Sequence, residues 1–272
     1  MIPFNADSKD QIKKMLAIYE PYADPGFVNS LKTKGEFLSR CWEMYVTCSL
    51  IDQGYNIQPK RQSEGPDCTI LTDKVPIHIE SVMLTPGAGP DALPPLREGM
   101  QDVSVGQLLL RFSNGMSDKM SDYGNYLGVH VDKNHPFVVA ISKGSINQPD
   151  VMPSMALRYL LGVGDFTISF PVDGGNSKTG NREQNILKKL SGKEVGVGFF
   201  RKKENAGISA VIYCDNHILN HPVSWGSDFV LIKNPFATNP LPLNFLNRGA
   251  EWEHKGEFLE LREKSFKRSK FF

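Results

Sequence analysis

The chain has little of what usually announces a function. Its four cysteines, Cys41, Cys48, Cys68 and Cys214, form no CxxC pair. That excludes the common cysteine-pair motifs and leaves buried small hydrophobes in a reducing compartment. No run approaches the ~20 apolar residues of a membrane-spanning helix. The opening stretch, MIPFNADSKDQIKK, has no apolar core of signal-peptide length, so a cytoplasmic protein with no membrane partner is expected. The net charge is only +1. No overall field therefore draws the protein to nucleic acid, and any DNA contact needs a local patch. Gly162-Val163-Gly164 lacks the third glycine of a dinucleotide fingerprint, and Ser177-Lys178-Thr179-Gly180 lacks the preceding glycines of a P-loop. His217 and His221 alone fall at a ligand-like spacing, but they straddle a turn before Pro222, so zinc is not expected there.

What is present is ordinary for a globular chain: 272 residues, 40% hydrophobic and 22% charged. That is one large domain, or a domain with a substantial extension, and it is long enough to bury a core without staples. Residues 7–20 and 36–53 have helical patterning. In the second, Phe37, Cys41, Tyr45 and Cys48 form an apolar stripe, with Glu43 on its border and Gly54 as the stop. Strands are expected at Tyr55–Lys60, Cys68–Thr72 and Val75–Leu84, the last two joined by a turn at residues 72–74. Thr85–Pro95 reads as a loop. A helix follows over Asn114–Leu127, either continuous with Leu108–Phe112 or separated from a strand there by Ser-Asn-Gly. Pro136–Ser142 is a buried strand. Further strands are expected at Asp165–Phe170, Val195–Phe200, Ile208–Cys214 and Phe229–Lys233, with a polar loop over Asp173–Arg182.

Within this α/β pattern two acids stand out. Asp67 opens the second strand, and Glu80 lies near the end of the third among apolar neighbours on both faces. An unpaired charge there is expensive. Neighbouring strands lie about 4.8 Å apart, so the two carboxylates can share a cation. Oxygen ligands in small number suit Mg²⁺ or Mn²⁺.

The order helix, three strands, helix, strand, with Pro66-Asp67 and then Glu80-Ser81-Val82, resembles the PD-(D/E)XK (restriction-endonuclease-like) nuclease superfamily. The resemblance covers roughly residues 36–142. The wider pattern, with Trp42-Glu43, Thr85-Pro86-Gly87, Leu109-Leu110-Arg111-Phe112 and Pro136–Ile141, is similar to a bacterial branch of it from which no activity transfers. The resemblance implies a nuclease-like core over 1–150 and a β-rich half over 151–272. It implies DNA as partner, Mg²⁺ or Mn²⁺ held by Asp67, Glu80 and the Ser81 carbonyl, and Glu43 as an auxiliary acid.

The superfamily's motif lysine is missing, because Val82 stands in its place. Losing one preorganised charge stabiliser costs on the order of 3–4 kcal/mol in the transition state. Two residues could supply the charge: Lys119 from the helix, with Arg111 on the same ridge as a further contact, or His78, which shares a strand face with Glu80. Each residue also has an ordinary explanation. Pro-Asp favours turns, Lys119 and Glu43 could be solvated, Arg111 could cover core with its stem, and His78 could be a hydrogen-bonded core histidine. The expected function is metal-dependent hydrolysis of DNA phosphodiesters. The rivals are a catalytically lapsed module that binds nucleic acid or protein, and an interaction protein using the loops at 85–103 and 171–182.

Overall fold

A computed structural model describes residues 6–95, 97–99, 102–148, 154–216, 220–255 and 258–264. Helices α1 (Ala6–Tyr19), α2 (Phe27–Lys32) and α3 (Phe37–Asp52) precede β1 (Asn56–Ile57), β2 (Cys68–Leu71) and β3 (Ile77–Met83). Then come α4 (Val105–Tyr126), β4 (Phe137–Ser142) and α5 (Met155–Leu161), followed by β5 (Val163–Ser169), β6 (Lys178–Glu183), β7 (Ile186–Lys188) and β8 (Glu194–Gly196). The chain continues through β9 (Ile208–Cys214), β10 (Val230–Lys233), β11 (Gly249–Lys255) and β12 (Phe258–Lys264). Eight strands form one mixed sheet in the order β1-β2-β3-β4-β9-β10-β11-β12. The strands β9 to β12 therefore continue the sheet begun by β1 to β4. Among the described residues no helix is long and apolar enough to cross a membrane.

Alternation along the central strands makes two cores. Ile77 and Ile79 of β3, Val138 and Ala140 of β4, and Ala210 and Ile212 of β9 pack against α1, α2 and α3. Phe137, Val139 and Ile141 of β4, and Val211 and Tyr213 of β9, face α4 and α5. The arrangement is three layers, α/β/α. Trp42 of α3 is fully buried, and its Nε1–H donates to the Ala140 carbonyl at 3.0 Å, fixing that helix across the sheet. Burying a large apolar side chain of this kind contributes about 1.5–3 kcal/mol.

The helix α4 is continuous, and Ser113-Asn114-Gly115 does not break it. Gly115 has a steric role instead, since an added Cβ would come within 2.8 Å of Leu84 Cδ2, with Val82 next nearest. Glycine lets the helix settle onto β3. Val82, two residues after Glu80, packs under α4 against that core.

Several expectations are corrected. The segment expected as a polar loop, Asp173–Arg182, contains most of β6, which pairs with β5 as a hairpin outside the main sheet. Its residues are polar because both faces are exposed. Of the strand expected at Val195–Phe200 only Val195 and Gly196 are extended, as the end of β8, and Phe199–Arg201 is a 3-10 turn entered through Gly198 at φ 74. Short helices α2 and α5 and strands β11 and β12 had no distinct signal, because so few residues carry a weak period. Gly162 caps α5 in the left-handed conformation, with φ 69. His217, and residues 265–272 of the basic tail, lie outside the described residues.

Candidate active site at the end of strands β2 and β3

The turn before β2 is set by Gly65 at φ 87, followed by Pro66. Pairing of Cys68 with Ile79, continued by one step, sets Asp67 opposite Glu80. Their side chains clasp the open end of the ladder. The Ser81 amide donates to Asp67 Oδ2 at 2.8 Å, and the Asp67 amide donates to Glu80 Oε2 at 3.3 Å. Each acid thus satisfies a backbone donor that the strand pairing leaves over. The recorded contact of Ser81 in this clasp is through its amide.

From the opposite side, α4 delivers Lys119. Its Nζ stands 2.9 Å from Glu80 Oε1 and 2.9 Å from Asp122 Oδ2. Lys119 follows Gly115 by one helical turn, so the close approach of the helix at Gly115 carries Lys119 over Glu80. Lys60 reaches from beyond β1 to lie 3.8 Å from Asp67 Oδ1. Of the two candidates for the missing charge, it is Lys119 that meets the carboxylates. The rings of His78 and His135 face each other, with His78 Nε2 3.1 Å from His135 Nδ1, and His78 Nδ1 lies 3.0 Å from Thr69 Oγ1. Burial first, and His135 second, lower the His78 pKa to about 4, so the ring is neutral at pH 7 and carries no positive charge. Arg111 lies against the loop, so close to Gly87 that a Cβ there would collide with its guanidinium.

Glu43 is buried on α3 and both its oxygens are occupied. The Tyr19 hydroxyl donates to Oε1 at 2.6 Å, and Arg40 donates to Oε2 at 2.8 Å. Its link to the pair is electrostatic: burial, then the charge of Asp67, raises its pKa above the ordinary carboxylate range. Burial likewise raises Asp67, opposed by Lys60 and the Ser81 amide. Burial and then Asp67 raise Glu80, opposed by Lys119. Burial pulls the Lys119 ammonium down, but Glu80 and Asp122 outweigh it and the net shift is upward, so Lys119 stays cationic. Glu43, Asp67, Glu80 and Asp122 meet Arg40, Lys60 and Lys119, and Arg40 is shared with Asp24 and Glu36, so acidic groups outnumber basic ones. Clustered buried carboxylates that resist joint ionisation fit a divalent cation with oxygen ligands.

No family model, curated protein or solved structure matches this chain. The chemistry of the site therefore rests on its own geometry.

Sequence reasoning missed Lys60, Arg40, Tyr19 and Asp122. Asp122 had a signal, since it sits three residues after Lys119 on the same helix. Lys60 ended the first expected strand, with no sign in the sequence of its contact with Asp67. Arg40 had the same kind of signal as Asp122, three residues before Glu43 on one helix, whereas Tyr19 had none, because its contact with Glu43 depends on how α1 packs on α3.

Proposed function

We propose that this protein is a Mg²⁺- or Mn²⁺-dependent nuclease hydrolysing phosphodiester bonds in DNA, on a restriction-endonuclease-like core formed by α3, β1, β2, β3, α4 and β4. The observation that carries this reading is the lysine at the carboxylate pair: Lys119 Nζ lies 2.9 Å from Glu80 Oε1, and Glu80 is clasped to Asp67 across the strands. Asp67 and Glu80 are the residues that would hold the cation, with the Ser81 carbonyl contributing as the resemblance implies. Bound there, the metal would polarise the phosphate and make hydroxide available near neutral pH. Lys119, kept protonated by Glu80 and Asp122, presents a fixed positive charge to the oxygens that gain negative charge in the transition state. Glu43, braced by Tyr19 and Arg40, adds negative potential behind Asp67 and so strengthens cation binding.

The test is incubation of supercoiled plasmid and a short single-stranded DNA with purified protein in Mn²⁺ and in Mg²⁺, with Asp67→Ala prepared in parallel. Cleavage by the wild type alone, together with loss of Mn²⁺ binding in Asp67→Ala, is expected. Normal Mn²⁺ binding by the variant would refute the assignment.

One observation favours a second reading. The network is closed by protein groups alone, since Lys119, the Ser81 amide and the Asp67 amide already engage the two acids. A lapsed nuclease-fold module would keep that closure. It would bind DNA or protein, cleave nothing in either metal, and show no Asp67-dependent Mn²⁺ binding.

A further inference from the structure

Away from the two acids, at the far end of β9, three different donor types converge. Cys214 Sγ lies 3.3 Å from Asp228 Oδ2, and His221 Nδ1 lies 2.7 Å from the same oxygen. The ligand atoms of all three residues fall within 4.8 Å of one another. Cys214 is fully buried, and the side chains of His221 and Asp228 are only 2% and 8% exposed.

The surroundings hold these groups in place. The Tyr45 hydroxyl donates to Asp228 Oδ1 at 2.6 Å and accepts from the Gly226 amide at 2.9 Å. The Asn216 side-chain amide donates to Asp228 Oδ2 at 3.2 Å. The imidazole of His221 stacks on the Tyr45 ring, with centroids 3.5 Å apart and planes at 8°. One atom is left over, His221 Nε2, which is buried without a hydrogen-bond partner among the described residues. A thiol and an imidazole aimed at one oxygen of a buried carboxylate are more than the carboxylate needs, because Tyr45 and Asn216 already bond to it.

We propose that Cys214, His221 and Asp228 form a second metal site, for Zn²⁺ or a transition ion of similar softness, separate from the carboxylate pair. Sulfur, nitrogen and oxygen donors in a set of three suit a borderline ion rather than Mg²⁺ or Mn²⁺. Tetrahedral coordination needs bonds of about 2.0–2.3 Å. Tetrahedral N and O ligands at that bond length lie about 3.3 Å apart, so the 2.7 Å contact between His221 Nδ1 and Asp228 Oδ2 opens by about 0.6 Å to admit the ion. Tyr45 then remains as the outer partner that orients the ligating carboxylate, and Tyr45 stacking fixes the imidazole.

The charges balance. Binding releases the proton of the Cys214 thiol, which burial holds on the sulfur in the free protein. His221 would ligate through Nδ1 as an imidazole with its remaining proton on Nε2, and Asp228 would ligate as a carboxylate. A divalent ion with one thiolate and one carboxylate is neutral overall, as a buried site requires.

The test uses the full chain, purified without chelator, with Cys214→Ser, His221→Gln and Asp67→Ala in parallel, each checked by circular dichroism. Metal content is measured first, and Co²⁺ is then titrated into stripped protein. One zinc per chain is expected in wild type and Asp67→Ala, with a thiolate-to-cobalt charge-transfer band in both. Both variants of the cluster are expected to bind more weakly by over about 100-fold, beyond the roughly 10–100-fold lost with an outer partner alone. Absence of zinc and of the band in the wild type overturns the proposal. So does zinc that survives in Cys214→Ser and disappears in Asp67→Ala, which would put the ion at the carboxylate pair. If Cys214→Ser fails to fold, His221→Gln carries the same comparison.

Discussion

Lys119 Nζ and Glu80 Oε1 stand 2.9 Å apart although 39 residues separate them in the chain. The contact depends on the helix settling at Gly115, where an added Cβ meets the flexible end of Leu84 at 2.8 Å. Gly115→Ala is expected to stay within about 1 kcal/mol of the wild type, because better helix propensity offsets a small shift of Leu84. Gly115→Leu overpacks the same space and is expected to cost about 1–3 kcal/mol. Urea unfolding of the three proteins measures both, and equal stability for Gly115→Leu would mean the helix does not rest on β3 here.

Lys119→Met tests the charge directly. On the nuclease reading, cleavage falls by about 10²–10³, while Mn²⁺ binds at least as well, because a competing cation has left Glu80. Parallel rate measurements and Mn²⁺ titrations separate the two effects. An unchanged cleavage rate would remove Lys119 from the mechanism.

Glu80 also makes stability fall as the pH rises through neutrality. Its pKa is raised by burial and by Asp67. A group raised in the folded state contributes stability that is full below its unfolded value of about 4.3 and is lost as pH rises through the folded value. Without divalent cations, the wild type is therefore expected to melt lower as the pH rises from about 4.3 toward about 8, and Glu80→Gln is expected to flatten that slope. Mn²⁺, which binds the ionised acids, restores the wild type at high pH but not the variant. Superimposable melting profiles with and without Glu80 would show that another group titrates.

His78 works in the opposite direction. Its pKa is lowered to about 4, first by burial and then by His135. The stability it contributes is full above its unfolded value of about 6.5 and is lost as pH falls from there toward about 4. A His78→Gln variant is expected to lose less stability than the wild type over that interval in chemical denaturation. Equal losses would place the acid sensitivity elsewhere.

Trp42→Phe removes the donor to the Ala140 carbonyl while keeping an aromatic ring. A cost of about 1–3 kcal/mol is expected from the unpaired buried carbonyl, read as a lowered denaturation midpoint with an unchanged slope.

Much of the α/β pattern was legible from local signals. The run Ile208–Cys214 is a strand because its β-branched residues fit a sheet buried on both faces, and the helix through Glu43 follows from a wide apolar stripe stopped by Gly54. The joining of the second half to the first was not legible. The pairing of β4 with β9 links residues such as Ala140 and Ile212 in parallel, and strand neighbours in a parallel pair leave no mark on adjacent sequence.

By itself the sequence determined that Asp67 and Glu80 would lie on neighbouring strands, because the short turn between them permits little else, and that Val82 could not supply a charge. Only the tertiary structure decided where the charge comes from. Lys119 was favoured over His78 on paper, and the descent of α4 at Gly115 brings it to Glu80 while Thr69 and His135 hold His78 away. The same is true of Cys214, His221 and Asp228, whose spacing carries no motif. A side chain's chemistry is written in its identity, whereas the company it keeps is set by which surfaces pack together.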